Sequence, residues 1–338
     1  MEREGRPHEA PADRPEAGGR PAVSRLFARL RSQAPQYGLL IGFFVLCGLL
    51  TLVSPVFLTT SNLLNVALQA SVVAILAFGM TFVILTGGID LSVGSVLALT
   101  GAVMAMVTSA AGSAAGIAAG LLVGVLIGCV NGAFITFAKI APFIATLAML
   151  AIARGATYII TQGTPVRVRA EGFNLFGQGS VATIPVPVLM MFGVFGLCLL
   201  VLTQTRFGRY VYAIGSNAEV SRLSGIPINR YVIAVYAISG ILAAVGGLIL
   251  TGRLATADPN SATGYELDVI AAVVIGGTSL FGGRGGVFGT LVGALIIAVV
   301  SNGLVLLNVN TFWAQAVKGA IIIAAVLPDS IRRRSWYE

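Results

Sequence analysis

Few side chains in this 338-residue sequence could do acid–base or ligand chemistry, because only 10% of its residues are charged. One of them, Asp90, stands alone in the apolar stretch TFVILTGGIDLSVGSVLALTGAVMAMV. A carboxylate in mid-bilayer costs about 2.5–3.5 kcal/mol on insertion scales. The glycines before it, Gly87 and Gly88, permit a sharp reversal. We therefore predict that Asp90 lies near a membrane surface and caps a tight turn, too shallow to bind a solute. A direct role in gating, or in contact with a partner protein on that side of the membrane, is the alternative.

Other polar side chains inside apolar runs form two groups. Arg154 lies about two-thirds of the way along one run, and Glu266 and Asp268 begin another, so we expect Arg154 to pair with one of the two carboxylates. Contact between Arg154 and a solute is the alternative. The second group consists of amides that could bind a polar solute or pack helices together: Asn65, Gln69, Asn131 and Asn302.

Sequence patterns of nucleotide-binding, hydrolytic and metal sites are absent. The only lysines, Lys139 and Lys318, follow an alanine and a valine, so no phosphate-binding Gly-x-x-x-x-Gly-Lys-Ser/Thr loop exists. The stretch GGTSLFGGRGG at 276–286 lacks that lysine and the hydroxyl after it. The three cysteines lie in apolar runs, and the single histidine, His8, lies in a polar tail. We expect no catalytic residue, no metal and no cofactor in this chain.

Apolar runs dominate the composition. Hydrophobic residues make up 57% of the chain, and its charged fraction is well below the roughly 25% of a soluble domain. Many runs reach the roughly 17–25 residues that cross a bilayer as a helix. The sequence predicts an all-α polytopic membrane protein with about ten transmembrane helices, some broken by glycine. The predicted spans are residues 37–57, 64–86, 91–110, 114–138, 141–161, 185–204, 231–252, 266–281, 286–306 and 312–327.

Basic residues are unequally distributed between the two sides of this arrangement. If both termini are cytoplasmic, 16 of the 21 lysines and arginines lie on that side, and Arg167, Arg169 and Arg253 lie outside. This bias follows the positive-inside rule, and it explains the net charge of +8 without nucleic acid as a partner. The predicted regions are a disordered or interfacial cytoplasmic tail at 1–34, a transmembrane domain at 35–330 and a cytoplasmic tail at 331–338.

Glycine recurs at every fourth position from Gly112 to Gly132. On a helix this spacing creates a groove of small residues, into which another backbone can pack closely. We predict that the groove packs against a helix of the same chain. An interface between subunits is the alternative.

The polar segment at residues 205–230, called here the coupling segment, contains signals for a short helix. Asn217 or Ser216 could cap its start and Gly225 could end it, while Glu219 and Arg222 are spaced to pair on one face. We predict that the segment is cytoplasmic and docks a soluble partner; a simple surface turn is the alternative. The residues predicted to form its core are Gly215, Asn217, Glu219, Arg222 and Gly225.

Three stretches, in order along residues 37–330, resemble signatures of one family. They are LTGGIDLSVGSVLALTGAV, GRYVYAIGSNAEVSRLSGIPI and GYELDVIAAVVIGGTSLFGGRGGVFGTLVGALIIAVVSNGL. The sequence thereby resembles the permease subunits of ribose-type importers of the ATP-binding-cassette (ABC) class. It departs from the family pattern at EVSRLSG, where two alanines usually precede the arginine, and at Ser301, where asparagine is common.

The resemblance implies a non-catalytic permease of the bacterial cytoplasmic (inner) membrane that works as a homodimer or with a similar subunit. A cytoplasmic ATPase would bind ATP and Mg²⁺ and contact the coupling segment, and an extracytoplasmic solute-binding protein would deliver a monosaccharide such as ribose, xylose or galactose. Two alternatives stay open: another small polar solute, such as a nucleoside, polyol or signalling furanose, and a different class of protein, a channel or a membrane enzyme.

Overall fold

The computed structural model describes the backbone of residues 22–310, 313, 315–321, 323, 324 and 327, and the side chains of these residues from Gly38 onward. Over these residues the chain is mostly helical. The helices are α1 (Ala22–Val53), α2 (Thr60–Leu85), α3 (Val93–Ala111), α4 (Ser113–Thr136), α5 (Pro142–Thr161), α6 (Glu171–Gln178), α7 (Val186–Gln204), α8 (Arg206–Ser216), α9 (Ala218–Leu223), α10 (Ile228–Leu254), α11 (Tyr265–Ile275) and α12 (Val287–Leu306). The strands are β1 (Val166–Arg167), β2 (Ser180–Val181), β3 (Ile184–Pro185) and β4 (Thr256–Ala257).

Seven of the helices in the described part of the chain are long and apolar enough to cross a membrane: α2, α3, α4, α5, α7, α10 and α12. The apolar part of α1, residues 38–53, is shorter. In the predicted tenth span, 312–327, every residue that the structure describes is helical. The prediction of an all-α polytopic membrane protein is confirmed.

Helix α11 corrects the predicted eighth span at 266–281. It ends at Ile275 after 11 residues, a length of about 16 Å, whereas a hydrocarbon core is about 30 Å thick. Residues 276–286, called here the glycine loop, follow it. Gly277, Gly282 and Gly283 adopt positive φ values of 71–85°, a conformation that glycine reaches without the steric cost of a Cβ. The apolar residues of the loop conceal this break from a hydropathy count.

Helix α1 begins earlier than the predicted first span. Residues 22–34, which the sequence assigns to a disordered or interfacial tail, are helical and continuous with the span. Their leucines, alanines and arginines have high helix propensity, which explains the extension. Residues 1–21 and the predicted tail at 331–338 lie outside the described residues.

Helices α2 and α10 form the centre of the bundle. Every residue of α2 from Ala70 to Leu85 is buried, because α7, α10, α11 and α12 surround it. Helix α10 in turn packs against α3 and α4. The glycine groove of α4 provides this contact: a Cβ at Gly124 would overlap the carbonyl oxygen of Gly240, and one at Gly132 would lie 2.6 Å from Ile233 Cα. The predicted packing within the chain is confirmed.

The two ends of the bundle differ. At the first, called here the α8 end, α8 lies beside the start of α10, where the rings of Tyr210 and Tyr231 pack edge to face at 5.1 Å. At the second, the α6 end, α6 packs on the C-terminal end of α10 through Gly177 and Gly252. There β1 also pairs with β4, and β2 with β3, both antiparallel.

Candidate functional site

The connection between α2 and α3, residues 86–92, folds back into the bundle and is called here the Asp90 turn. Asp90 Oδ2 accepts a hydrogen bond from Ser239 Oγ at 2.8 Å. Ser239 is the twelfth residue of the 27-residue helix α10, so it lies about 16 Å along a helix of about 40 Å. Asp90 is therefore deep in the bundle, and its predicted position near a membrane surface is wrong. Helix α3 does not start at the reversal around Gly87. The chain first passes Tyr236 of α10, and the helix begins at Val93.

Both carboxylate oxygens of Asp90 accept hydrogen bonds. Its Oδ1 atom accepts from the backbone N–H of Ser92 at 3.0 Å and from Ser92 Oγ at 2.6 Å. Asn131 Nδ2 donates to Ser92 Oγ at 3.1 Å, which adds α4 to the network. Asp90 is only 2% exposed. The carboxylate thus secures a tight turn just before α3, and in this conformation it has no free edge for a solute.

The carbonyl oxygen of Ile89 holds the same turn on its other side. It accepts hydrogen bonds from Thr146 Oγ1 of α5 at 3.1 Å and from Tyr236 OH of α10 at 3.4 Å. Sequence reasoning did not single out Ser92, Ser239 or these two residues. The available signal was hydroxyl side chains inside an otherwise apolar span, as with the tyrosine and the serine of VYAISGILAAV. Three helices besides α2 and α3 therefore fix the Asp90 turn.

The first turns of α3 and α11 meet inside the bundle. A Cβ at Gly94 would lie 2.6 Å from the carbonyl oxygen of Ala262 and 2.7 Å from Glu266 Oε2. Neither helix has a side-chain cap at its N-terminus, and the first backbone N–H groups of a helix lack partners within it. Helices that start at membrane depth are tolerated where they are packed in protein or line a cavity. This pair of helix starts is the polar centre of the fold.

Arg154 does not form the predicted ion pair. Its Nη1 atom donates to the carbonyl oxygens of Pro259 and Ser261, at 2.6 and 2.9 Å. These residues belong to the connection before α11, which Tyr158 also holds by donating to Asn260 Oδ1 at 2.7 Å. Arg154 therefore positions the chain that leads into α11.

The two carboxylates have other neighbours. Lys318 Nζ donates to Asp268 Oδ2 at 2.8 Å, and the pair is mostly buried. Glu266 lies against α3 at Gly94. The expected pairing with Arg154 is not formed, because Asp268 pairs with Lys318 instead. These two residues are 50 positions apart, so their spacing along the chain does not indicate the contact.

The four candidate amides differ in accessibility. Asn302 is buried and exchanges two hydrogen bonds with Asn62, at 2.8 and 3.0 Å, so it joins α12 to α2. Asn131 is buried in the Asp90 network. Asn65 and Gln69, four residues apart on α2, are exposed, so of the four candidates these two present accessible amides.

The coupling segment forms two helices, α8 and α9, at the α8 end. Asn217 Oδ1 caps α9 by accepting from the backbone N–H of Val220 at 3.0 Å, and Gly225 beyond it has a φ of 81°. Arg222 Nη2 donates to Glu219 Oε1 at 2.6 Å, and this bond holds the pKa of the Glu219 carboxyl below its usual value. The ion pair is therefore intact at neutral pH. The predicted short helix and its pair are confirmed; docking stays a prediction.

Helix α8 connects this surface to the Asp90 turn. Gly283 of the glycine loop donates its backbone N–H to the carbonyl oxygen of Leu85, the last residue of α2, at 3.0 Å. Gly215 of α8 packs on both groups so closely that a Cβ would overlap the Leu85 oxygen. Tyr212 OH, one turn earlier, donates to the carbonyl oxygen of Gly285 at 2.8 Å. We call the contact of Leu85, Gly215 and Gly283 the glycine junction.

Comparison with protein families identifies one match. Residues 62–326 match the family described as the permease component of the branched-chain amino acid transport system. No solved structure matches the chain.

Curated proteins match over nearly the whole chain. The chain is 48% identical to the ribose import permease protein RbsC of Bacillus subtilis (strain 168), over 86% of this chain and 92% of that protein. It is 39% identical to the L-arabinose transport system permease protein AraH of Escherichia coli (strain K12), over 94% and 96%. It is 38% identical to the D-allose transport system permease protein AlsC of the same strain, over 81% and 85%.

Proposed function

This chain belongs to the permease-component family that its residues 62–326 match. On that premise we propose that it forms the translocation pathway of an ATP-driven importer for a monosaccharide, with ribose as the preferred candidate. The observation that carries the proposal is the 48% identity to a ribose import permease over 86% of this chain. The family description names amino acids, whereas the relatives that match over nearly their full lengths are named for ribose, arabinose and allose. These full-length matches favour a sugar over an amino acid as the transported solute.

The proposed topology crosses the membrane ten times, with the short α11 and the segments on either side of it making the eighth crossing, and it places both termini in the cytoplasm. The α8 end then faces the cytoplasm, and its exposed arginines support this orientation: Arg206, Arg209, Arg222 and Arg230. The α6 end faces outward and would receive the solute-binding protein. A second permease copy completes the importer in the inner membrane, where lipid covers the exposed apolar faces.

Energy enters from a partner ATPase that carries ATP and Mg²⁺, because this sequence has no phosphate-binding loop of its own. The coupling segment is the proposed contact. In α9, Val220 and Leu223 are 56% and 74% exposed, so a polar short helix presents apolar side chains at the end that we orient toward the cytoplasm. Such side chains become buried when a soluble partner docks.

The glycine junction is the proposed route by which this docking reaches the pathway. A movement of α8 acts on Leu85 and Gly283 together, because Gly215 leaves no gap between them. Leu85 leads directly into the Asp90 turn, which sets the start of α3. The ATPase would in this way reposition the paired starts of α3 and α11, where the solute would pass; Asn65 and Gln69 would line the outer half of that route.

Uptake of radiolabelled ribose tests the assignment. A bacterium without its own ribose permease, supplied with this chain and its partners, should accumulate the label, and unlabelled allose or arabinose should compete more weakly than ribose. Competition by leucine with no effect of any sugar would contradict the proposal. A Leu223→Asp variant provides the matched control for uptake by other routes.

A further inference from the structure

A cavity of about 830 Å³ opens at the α8 end between α1, α7, α8 and the glycine loop. Its walls combine glycine backbone, the polar side chains of Thr203, Tyr212 and Arg284, and apolar side chains, which include Leu39 of α1, Leu199 and Leu202 of α7, and Phe288 of α12. Leu199 and Leu202 belong to the last two turns of the α7 span. The cavity therefore reaches from the end of the bundle to Leu199, five residues or about 7.5 Å along α7 from its last residue, Gln204.

The rim of the cavity is suited to an anion. Arg284 is exposed there, and among the described residues its guanidinium has no hydrogen bond or ion pair. The first three residues of α12, Val287 to Gly289, also line the cavity. The backbone N–H of Thr290 makes the first bond of α12, to Gly286, so the N–H groups of these three residues have no partner within the helix.

The rim carries a tyrosine, which suits the level of lipid headgroups. Tyr212 lines the cavity and its hydroxyl donates to the Gly285 carbonyl, and tyrosine is typical of the boundary between headgroups and hydrocarbon. The α8 end also carries the exposed arginines that orient it toward the cytoplasmic leaflet, whose surface is negatively charged. An apolar cavity with an unpaired cation at headgroup level has the chemistry of a phospholipid site.

We propose that this cavity binds one anionic phospholipid of the cytoplasmic leaflet. Its phosphate lies against Arg284 and the first turn of α12, and its acyl chains lie along the leucines and Phe288. Because Tyr212 bonds the glycine loop at the same rim, the lipid supports the arrangement of α8 and the glycine loop. The site is separate from the solute pathway and does not depend on which sugar is carried.

Native mass spectrometry of the purified full-length permease tests this proposal. Phosphatidylglycerol should bind as one tight copy, and phosphatidylcholine should not. The Arg284→Gln variant should bind phosphatidylglycerol about fivefold more weakly, since one arginine at a membrane surface is worth about 1 kcal/mol. Arg209→Gln, which removes an exposed arginine that does not line the cavity, should bind like the wild type.

A second variant and a free anion make the test decisive. Leu199→Trp, which fills the apolar part without touching the charge, should also lose the tight copy, and circular dichroism verifies that each variant is folded. Unchanged phosphatidylglycerol binding in folded Arg284→Gln and Leu199→Trp would overturn the proposal. So would stabilisation by inorganic phosphate equal to that by phosphatidylglycerol, or loss of ATPase binding in Arg284→Gln with lipid binding unchanged.

Discussion

The backbone N–H of Gly283 donates to the carbonyl oxygen of Leu85 at 3.0 Å, across 198 positions of sequence. This bond joins the glycine loop to the end of α2, and Gly215 of α8 packs on it. The three segments that resemble family signatures therefore meet at one contact. The surface that we propose as the docking site of a soluble partner is in this way directly connected to the turn that begins α3.

Gly215→Ala should uncouple the importer. The added Cβ would overlap the Leu85 carbonyl, which is backbone and can move only with α2, and overpacking of this kind costs about 1–3 kcal/mol. We expect ATP hydrolysis to continue while solute uptake falls at least about tenfold, as a change of about 1.4 kcal/mol produces. Gly193→Ala is the control, because a Cβ there meets nothing within 4 Å. Normal uptake in Gly215→Ala would refute the role of the junction.

Ser239→Ala should destabilise the Asp90 turn. It removes one of the hydrogen bonds to a buried carboxylate, and bonds to charged groups contribute about 1.5–3 kcal/mol. We expect the free energy of unfolding in detergent to fall by about 2 kcal/mol. Ser109→Ala should change it by less than about 0.5 kcal/mol, because the Ser109 hydroxyl bonds only its own helix. Equal losses in both variants would argue against the network.

The sequence predicted the local features of the coupling segment correctly, but it did not predict how deeply Asp90 is buried in the bundle. The caps and pairing of Asn217, Glu219 and Arg222 follow from local spacing, and the structure forms them. The position of Asp90 could not be predicted, because it depends on Ser239, which is 149 positions away. Hydropathy likewise could not show that α11 is half a span, since the apolar Leu280 and Phe281 follow the helix before the first charge of the glycine loop, Arg284.

Lys318→Met should destabilise the protein more than the double variant with Asp268→Asn. Without Lys318, the mostly buried Asp268 carboxylate loses its partner, and such a loss typically costs about 3–5 kcal/mol. Removing both charges avoids that penalty. The midpoint temperature of thermal unfolding should therefore be higher in the double variant than in Lys318→Met, and close to that of the wild type. A double variant no more stable than Lys318→Met would show that the pair is not formed.

Leu223→Asp should abolish binding of the ATPase without unfolding the permease. Leu223 is 74% exposed, so a charge there costs little within the chain but opposes burial in an interface. Co-purification with the tagged ATPase measures the effect. Val181→Asp, at an exposed apolar position of the α6 end, should retain the ATPase. Retention by Leu223→Asp would place the contact elsewhere.

Solute accumulation in sealed proteoliposomes tests the central claim most directly. Vesicles with the permease, its ATPase and the solute-binding protein should concentrate ribose only when ATP is present on the ATPase side. Vesicles with the permease alone should at most equilibrate the sugar across the membrane, because its sequence lacks the phosphate-binding loop Gly-x-x-x-x-Gly-Lys-Ser/Thr. Accumulation of ribose above the external concentration by the permease alone would contradict the account.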